Sequence, residues 1–410
     1  MSAAPVLVVA AAATGRAAPV DRRTPRTTTL VPQAVVPRTP PGSPPRPHPV
    51  PAGASPAPAP RGRALPGVVA RPGPIQVVCW QVAVVTVVLA LRQPLPALVC
   101  ASIGAAVLVA LTGVRVDGRW LYELAVLGVE HLSRARRRDL PVHGGTPALL
   151  DLLVPGCTVR CTETARGPAM TASHRGGLTA LLRLDGAAAE LLDRVPPLPG
   201  LLPVVEGWPH PFGVQLVCHA GVRRAEPARM WLAVHAARGV EAPGDEELTP
   251  ALRNGLRRVR RALDRAGVSS AVLAEEAALA VIAGLAHVTG GRGEVREDWR
   301  CWRAGAVRQA TFRLRGWHRL TDQHARQLAV DLLTVDVGAT VTVTVAVRSG
   351  RDGPWGEGVL RLAATTGGAV EAAVVAASTR AAPYGVRLVR LDGAHARGVA
   401  ASLPIGVFLP

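Results

Sequence analysis

The chain has 410 residues and not one lysine; all 47 of its basic side chains are arginine. Without lysine there is no P-loop of the GxxxxGK[ST] kind, no Schiff-base amine and no kinase β3 lysine. ATPases and transferases of those classes are excluded. Acidic residues are scarce too, 29 in all, and no Asp-x-Asp pair occurs, so metal-assisted nucleotide-sugar chemistry lacks its usual anchor. HExxH, GxSxG and GxGxxG are missing. Of the six cysteines only Cys157 and Cys161 lie close in sequence, and no second pair completes a zinc site. These absences leave no catalytic residue, no metal and no cofactor to expect.

What is abundant is unevenly placed. Residues 1–74 hold nine arginines, one acid (Asp21) and 18 of the 37 prolines. Each proline removes a backbone donor and fixes φ, so neither helix nor sheet propagates there. The segment reads as a disordered Pro/Arg-rich tail with polyproline II character, and Pro41 to Pro44 and Pro44 to Pro47 match PxxP. The apolar stretch Val6–Ala13 is short and lacks a basic flank, so it does not read as a signal peptide. Residues 115–410 carry 37 arginines against 28 acids, too mild a bias for a dedicated nucleic-acid domain.

Two apolar runs follow the tail. Ile75–Leu91 and Leu95–Val114 contain no charge, and only Arg92, Gln93 and Pro94 separate them. As helices they would be about 25 and 30 Å long, close to the thickness of a hydrocarbon core. A transmembrane hairpin over 75–114 satisfies every backbone group internally, as lipid requires. Arg61, Arg63 and Arg71 precede it, and Arg115, Arg119, Arg134, Arg136, Arg137 and Arg138 follow it. The positive-inside rule then places both termini in the cytoplasm, with two spans in the inner membrane. The small residues Ala101, Gly104 and Ala105 would let a partner helix approach closely.

Residues 115–140 read as a basic juxtamembrane helix: Leu121, Leu124, Leu127 and Leu132 recur at helical spacing over 120–138. Its end brings Arg134, Arg136, Arg137 and Arg138 towards anionic headgroups or a partner, at about 1 kcal/mol for each arginine near such a surface. Residues 141–410 mix periods and read as a cytoplasmic α/β (mixed α+β) domain. Period-two alternation predicts strands over 212–219, 310–317 and 339–347, with further strands over 358–363 and 385–391. Helices are predicted over 245–266, 270–288, 322–335 and 369–378. The first of these opens on Asp245, Glu246 and Glu247 and carries an arginine face.

A set of motifs then falls in a recognisable order. After the double span come Gly113-Val-Arg-Val-Asp-Gly-Arg-Trp-Leu121, Arg296-Glu-Asp-Trp-Arg-Cys-Trp-Arg-Ala-Gly305 and Gln309-Ala-Thr-Phe-Arg-Leu-Arg-Gly-Trp317. Arg390-Leu-Asp-Gly393 and Ala400-Ser-Leu-Pro-Ile-Gly406 close the chain. From about Pro74 onwards this resembles EccE, a membrane component of the actinobacterial type VII (ESX-type) secretion system. The resemblance implies a non-enzymatic structural subunit that braces an inner-membrane export complex beside EccB-, EccC- and EccD-like partners, with no nucleic acid involved. It also implies a cytoplasmic domain similar to glycosyltransferase folds. Glu297, Trp299 and Trp302 are the family-motif residues expected to serve in packing or partner contact. The competing reading is a membrane-anchored transferase-like enzyme acting on an activated sugar or lipid.

Overall fold

The computed structural model describes residues 74–409, except 117–118, 135–136, 142–143, 165–166, 203–210, 224–225, 289–292 and 351–352. The Pro-rich tail and Arg136 lie outside the described residues. Helices α1 (Pro74–Ala90) and α2 (Leu95–Gly113) form a hairpin, with Pro94 and Pro96 turning the chain into α2. Polar bonds close its open end. The Gln76 amide donates to the Thr112 carbonyl at 3.0 Å, and the Trp80 indole N–H donates to the Thr112 hydroxyl at 3.0 Å. Elsewhere both helices present apolar side chains outwards, Val84, Leu89 and Leu95 among them. Among the described residues α2 is long and apolar enough to cross a membrane, whereas α1 is a shorter apolar helix.

A two-stranded ribbon, β1 (Arg115–Val116) with β2 (Arg119–Trp120), leads into α3 (Leu121–Ser133). The expected helix over 120–138 therefore stops at Ser133. Arg137–Asp139 form instead a strand, β3, which pairs with β10 (Glu294–Glu297). The physical reason is charge. Several arginines in one helical turn would repel, whereas the extended chain sets Arg137 3.2 Å from the carboxylate of Glu294.

The rest of the chain is a sheet built twice. After α4 (Gly145–Leu153), a hairpin of β4 (Thr158–Thr164) and β5 (Gly167–His174) leads into β6 (Gly177–Leu184). Next come α5 (Ala188–Arg194), α6 (Leu198–Leu201), β7 (Phe212–Ala220), β8 (Arg229–Ala237), α7 (Asp245–Arg265), β9 (Ser270–Val272) and α8 (Glu275–Ala286). The same order then repeats. The hairpin of β10 and β11 (Trp302–Ala304) is followed by β12 (Val307–Arg315), α9 (Asp322–Leu333), β13 (Thr340–Gly350) and β14 (Gly353–Ala364). The repeat ends with α10 (Gly367–Ala381), β15 (Arg387–Arg390) and α11 (His395–Ala401).

Spatially each half is a split βαβ arrangement, β9-β6-β8-β7 and β15-β12-β14-β13, flanked by its hairpin. The halves join antiparallel through β7 and β13, with Val217 opposite Thr344 near the centre of the pairing. The sequence keeps an echo of the repeat at a spacing of 130 residues: Ala180 and Ala310, Arg183 and Arg313, Leu184 and Leu314. Gly186 and Gly316 extend it, with φ of 137° and 103°, backbone that suits glycine alone. Among the described residues every strand pairing is antiparallel. The sheet thus lacks the strand-order switch point at which open parallel sheets bind nucleotides.

One face of the sheet is apolar. Val214, Leu216, Leu232, Val234, Val341, Val343, Leu360 and Leu362 alternate along their strands and pack under α5, α6, α7, α9 and α10. The opposite face, under α4, α8, α11 and residues 402–409, carries a row of buried polar groups: Thr179, Gln215, His235, Gln309, Thr311, Thr342, Thr344 and Arg361. Their bonds fix the covering layer. Gln215 donates to the Ala401 carbonyl at 2.7 Å and accepts from the Gly406 N–H at 3.0 Å. Thr179 donates to the Ile405 carbonyl at 3.1 Å, and Gln309 to the Ala286 carbonyl at 2.8 Å.

Four expected helices and five expected strands have counterparts, with one split. The predicted helix over 270–288 is β9 followed by α8, because Ser270–Val272 pair along the edge of β6 before Glu275 and Glu276 open the helix. The strand predicted over 310–317 ends at Arg315, and Trp317–Arg319 form a single 3₁₀ turn.

Candidate functional site

Of the residues singled out in the sequence, Arg134 and Trp299 meet α3 near its junction with the folded domain, whereas Trp302 lies in the core, Arg137 and Arg138 on a sheet edge, and Ala101, Gly104 and Ala105 in α2. Helix α3 starts where the Glu123 carboxylate accepts the Trp120 N–H at 3.2 Å, satisfying one of the orphan donors of the first turn. One side of α3 meets the domain through Leu127 and the buried His131. The other exposes Tyr122, Val126, Val129 and Leu132, a stripe at helical spacing.

The domain's side of the seam is the tight turn between β10 and β11, closed by the Asp298 N–H bonding to the Cys301 carbonyl at 2.8 Å. Trp299 at its tip lies edge-on to the His131 ring, centroids 5.4 Å apart and planes at 85°. The Trp299 carbonyl accepts the Gly393 N–H at 2.7 Å. Gly393 has φ of 69°, and a Cβ there would lie 2.7 Å from the Trp299 ring and 3.1 Å from Leu127. Only glycine fits that contact. Glu297 is buried, and its carboxylate accepts the Ala396 N–H at 2.8 Å, which anchors the start of α11. Trp302 is buried in the polar-face core beside the apolar parts of α4 and α8. Of the motif trio, Trp302 is core, Glu297 holds α11 in place, and Trp299 is 38 % exposed at the seam.

Charges tie the far end of α3. Glu130 receives Arg134 at 2.6 Å and Arg397 of α11 at 3.3 Å. Arg137 is paired with Glu294, while Arg138 is exposed on the outer strand opposite Val295. The four-arginine cluster is therefore divided between a helix end and a sheet edge, with Arg136 outside the described residues. In the hairpin, Ala101 and Ala105 are half-buried, and a Cβ on Gly104 would meet nothing within 4 Å. That side of α2 is open to an approaching helix.

Sequence reasoning missed the buried titratable groups, because nothing local marks them. Glu357 is 95 % buried; one carboxylate oxygen accepts the Leu409 N–H at 2.9 Å and the other has no partner. Burial pushes its pKa up to about 7 against the opposing pull of that bond, Arg313 and Arg348. Arg361 is fully buried, held by Gln309 at 3.1 Å and lowered to about 9 by desolvation. His235 stacks on His174 at 5.3 Å, and burial first, then that neighbour, lowers it to about 3. The Cys157 and Cys218 thiols are pushed by burial to about 11 and about 12, so both stay protonated and unreactive. Among the described residues no three His, Cys, Asp or Glu side chains gather as a metal site.

A half-open cavity of about 720 Å³ lies beside the seam, bounded by Glu123 and Leu127 of α3, by Arg313, Arg315 and Glu357 of the sheet, and by Arg397. Residues 224–314, from just before β8 through most of β12, match a family model described as "EccE: Putative type VII ESX secretion system translocon, EccE". Over these residues, under a quarter of its length, the chain is similar to the EccE family. No curated protein matches it. The EccE match includes Glu297, Trp299 and Trp302, whereas the partners of Trp299 across the seam, His131 and Gly393, lie outside it.

Proposed function

We propose that this EccE-like chain is a non-enzymatic membrane subunit of a type VII secretion complex, bracing the export machinery from the cytoplasmic side. In this reading α1 and α2 both span the inner membrane and both termini are cytoplasmic. α1 is short for a span, and tilt or local thinning of the bilayer accommodates it. The observation that carries the reading is the seam: an apolar hairpin held to a rigid two-part sheet by His131, Trp299, Gly393 and the Arg397–Glu130 pair. Such a joint passes force or position between a membrane segment and a cytoplasmic body, and it needs no bond-making chemistry. The open small-residue side of α2 at Gly104 suits helix packing with other membrane subunits of the EccB, EccC and EccD kinds. The exposed Arg138 and its neighbours suit anionic headgroups or an acidic partner.

The test is affinity purification from gently solubilised native membranes, followed by mass spectrometry of the co-purifying chains. The expected result is recovery of an FtsK-like ATPase together with further secretion membrane subunits. Recovery of the chain alone, from membranes in which those subunits are expressed and remain associated with one another, overturns the reading.

A further inference from the structure

The seam cavity has properties that bracing alone does not require. Arg313, Arg315 and Arg397 are among the residues that line it. Glu123, on the rim, is engaged with the Trp120 N–H, and Arg397 is shared with Glu130. Glu357 also lines the cavity, and its second carboxylate oxygen is buried without a partner. A buried polar atom left unpaired is costly unless something absent from the protein itself completes it. In its protonated form, which burial favours, Glu357 offers an O–H donor that suits a phosphate oxygen beside guanidinium groups.

The position narrows the source. Glu123 and Leu127 line the cavity from the first two turns of α3, which follows α2 after only the short β1–β2 ribbon. The outer side of α3 exposes apolar side chains at Tyr122, Val126 and Val129, as the hairpin exposes its own. Leu127, Trp317 and Leu391 add an apolar wall to the charged one, and the volume lies within the usual range for small-molecule sites. We propose that this cavity binds the phosphate headgroup of an anionic phospholipid, with Arg315 and Arg397 holding the phosphate and Glu357 donating to one of its oxygens. The inference rests on the reading of α1 and α2 as membrane-spanning, since that reading sets the cavity at the lipid surface.

The experiment titrates the detergent-solubilised full chain with dihexanoyl phosphatidylglycerol, with dihexanoyl phosphatidylcholine and with inorganic phosphate, by calorimetry. The phosphatidylglycerol should bind at one site, and the Arg315→Ala/Arg397→Ala double variant should weaken it roughly tenfold or more, the scale of losing charge-assisted bonds. Glu357→Gln, which keeps an N–H donor in place of the O–H, should retain binding within about threefold. Equal binding by the double variant, or by phosphatidylcholine, overturns the proposal. Inorganic phosphate binding as tightly as the lipid assigns the pocket to free phosphate and overturns the lipid source. Cysteine-accessibility mapping of residue 92 in intact cells tests the hairpin separately: a turn that stays on the cytoplasmic side sinks the two-span reading even where the short-chain lipid binds.

Discussion

The two faces of the central sheet are covered by helices, yet they are held by different physics. On the first face Leu216, Leu232, Val343 and Leu360 bury side chains against five helices, and burial stabilises without direction. On the second, Gln215, Thr179 and Gln309 hold the covering layer by bonds that work only at one register, and Arg361 braces Gln309. Net gains from such bonds are modest, about 1 kcal/mol each, but leaving one unmade costs more. The apolar face therefore supplies stability, and the polar face supplies position. The seam elements hang from the polar face: α11 and the turn at Trp299 are both fixed by buried polar contacts, through Glu297 and Gly393. On the proposed bracing role, a joint that keeps a hairpin at one orientation belongs on the face that specifies register.

The largest effect expected is a break on the apolar face. Leu232→Ala empties a fully buried site in β8 and should cost about 2–5 kcal/mol, transfer and cavity terms together. It should show as one lowered unfolding transition of the detergent-solubilised chain, seen alike by every probe. A loss confined to α3 or to the C-terminal segment would mean that the faces do not share one cooperative core.

The next effect belongs to the polar face, where Glu357 and His235 titrate; Cys218, on the apolar face, is pushed to about 12 and stays protonated. Glu357 has a folded-state pKa of about 7, raised from 4.5 chiefly by burial. Its protonated form is the one the fold prefers. The stability it allows is fully present below pH 4.5 and is lost as pH rises through about 7, by roughly 3 kcal/mol in total. His235, lowered from 6.5 to about 3, has the opposite sense: its contribution is present above 6.5 and lost as pH falls towards 3. Glu357→Gln should therefore raise the unfolding midpoint at pH 8.5 and leave it nearly unchanged at pH 4.5. An equal shift at both values would assign the effect to packing instead of ionisation.

How much of this was legible in the sequence follows the same division. The strands at Phe212–Ala220 and Thr340–Gly350 alternate visibly, since every second residue faces the apolar layer. β8 did not announce itself: Met230-Trp-Leu-Ala-Val234 is a continuous apolar run, because the far side of that strand is covered too, and such runs do not distinguish strand from helix. β4, β5 and β6 mix Thr, Ala, Cys and Gly with little period; they pair locally as hairpins, and only β6 takes distant partners, β8 and β9. Thr344, Gln309 and Arg361 read as solvent-facing until α8 and α11 are laid over them. The hairpin's extent was visible in its lack of charge. The seam was visible only as the motif residues Glu297, Trp299 and Trp302, and not as a contact with His131 or Gly393, which are 168 and 94 residues from Trp299. The repeat of the two halves leaves four matched residues near β6 and β12, too few to notice without the topology.

The smallest expected effect, and the sharpest test of the division, is at Gly393. Replacing it with alanine sets a Cβ against Trp299 and Leu127 and strains a backbone at φ of 69°. The cost is about 1–2 kcal/mol, but it falls on a contact at the edge of the domain and not on the shared core. Local opening is governed by local contacts, so the unfolding midpoint should move little while amide exchange across α3 accelerates several-fold. Amides of β7 and β13, at the centre of the sheet, should keep their protection. If those central amides lose protection in step with α3, then the seam is part of the global core. The hairpin would then be welded to the domain instead of hinged on it, and position and stability would no longer be divided between the two faces.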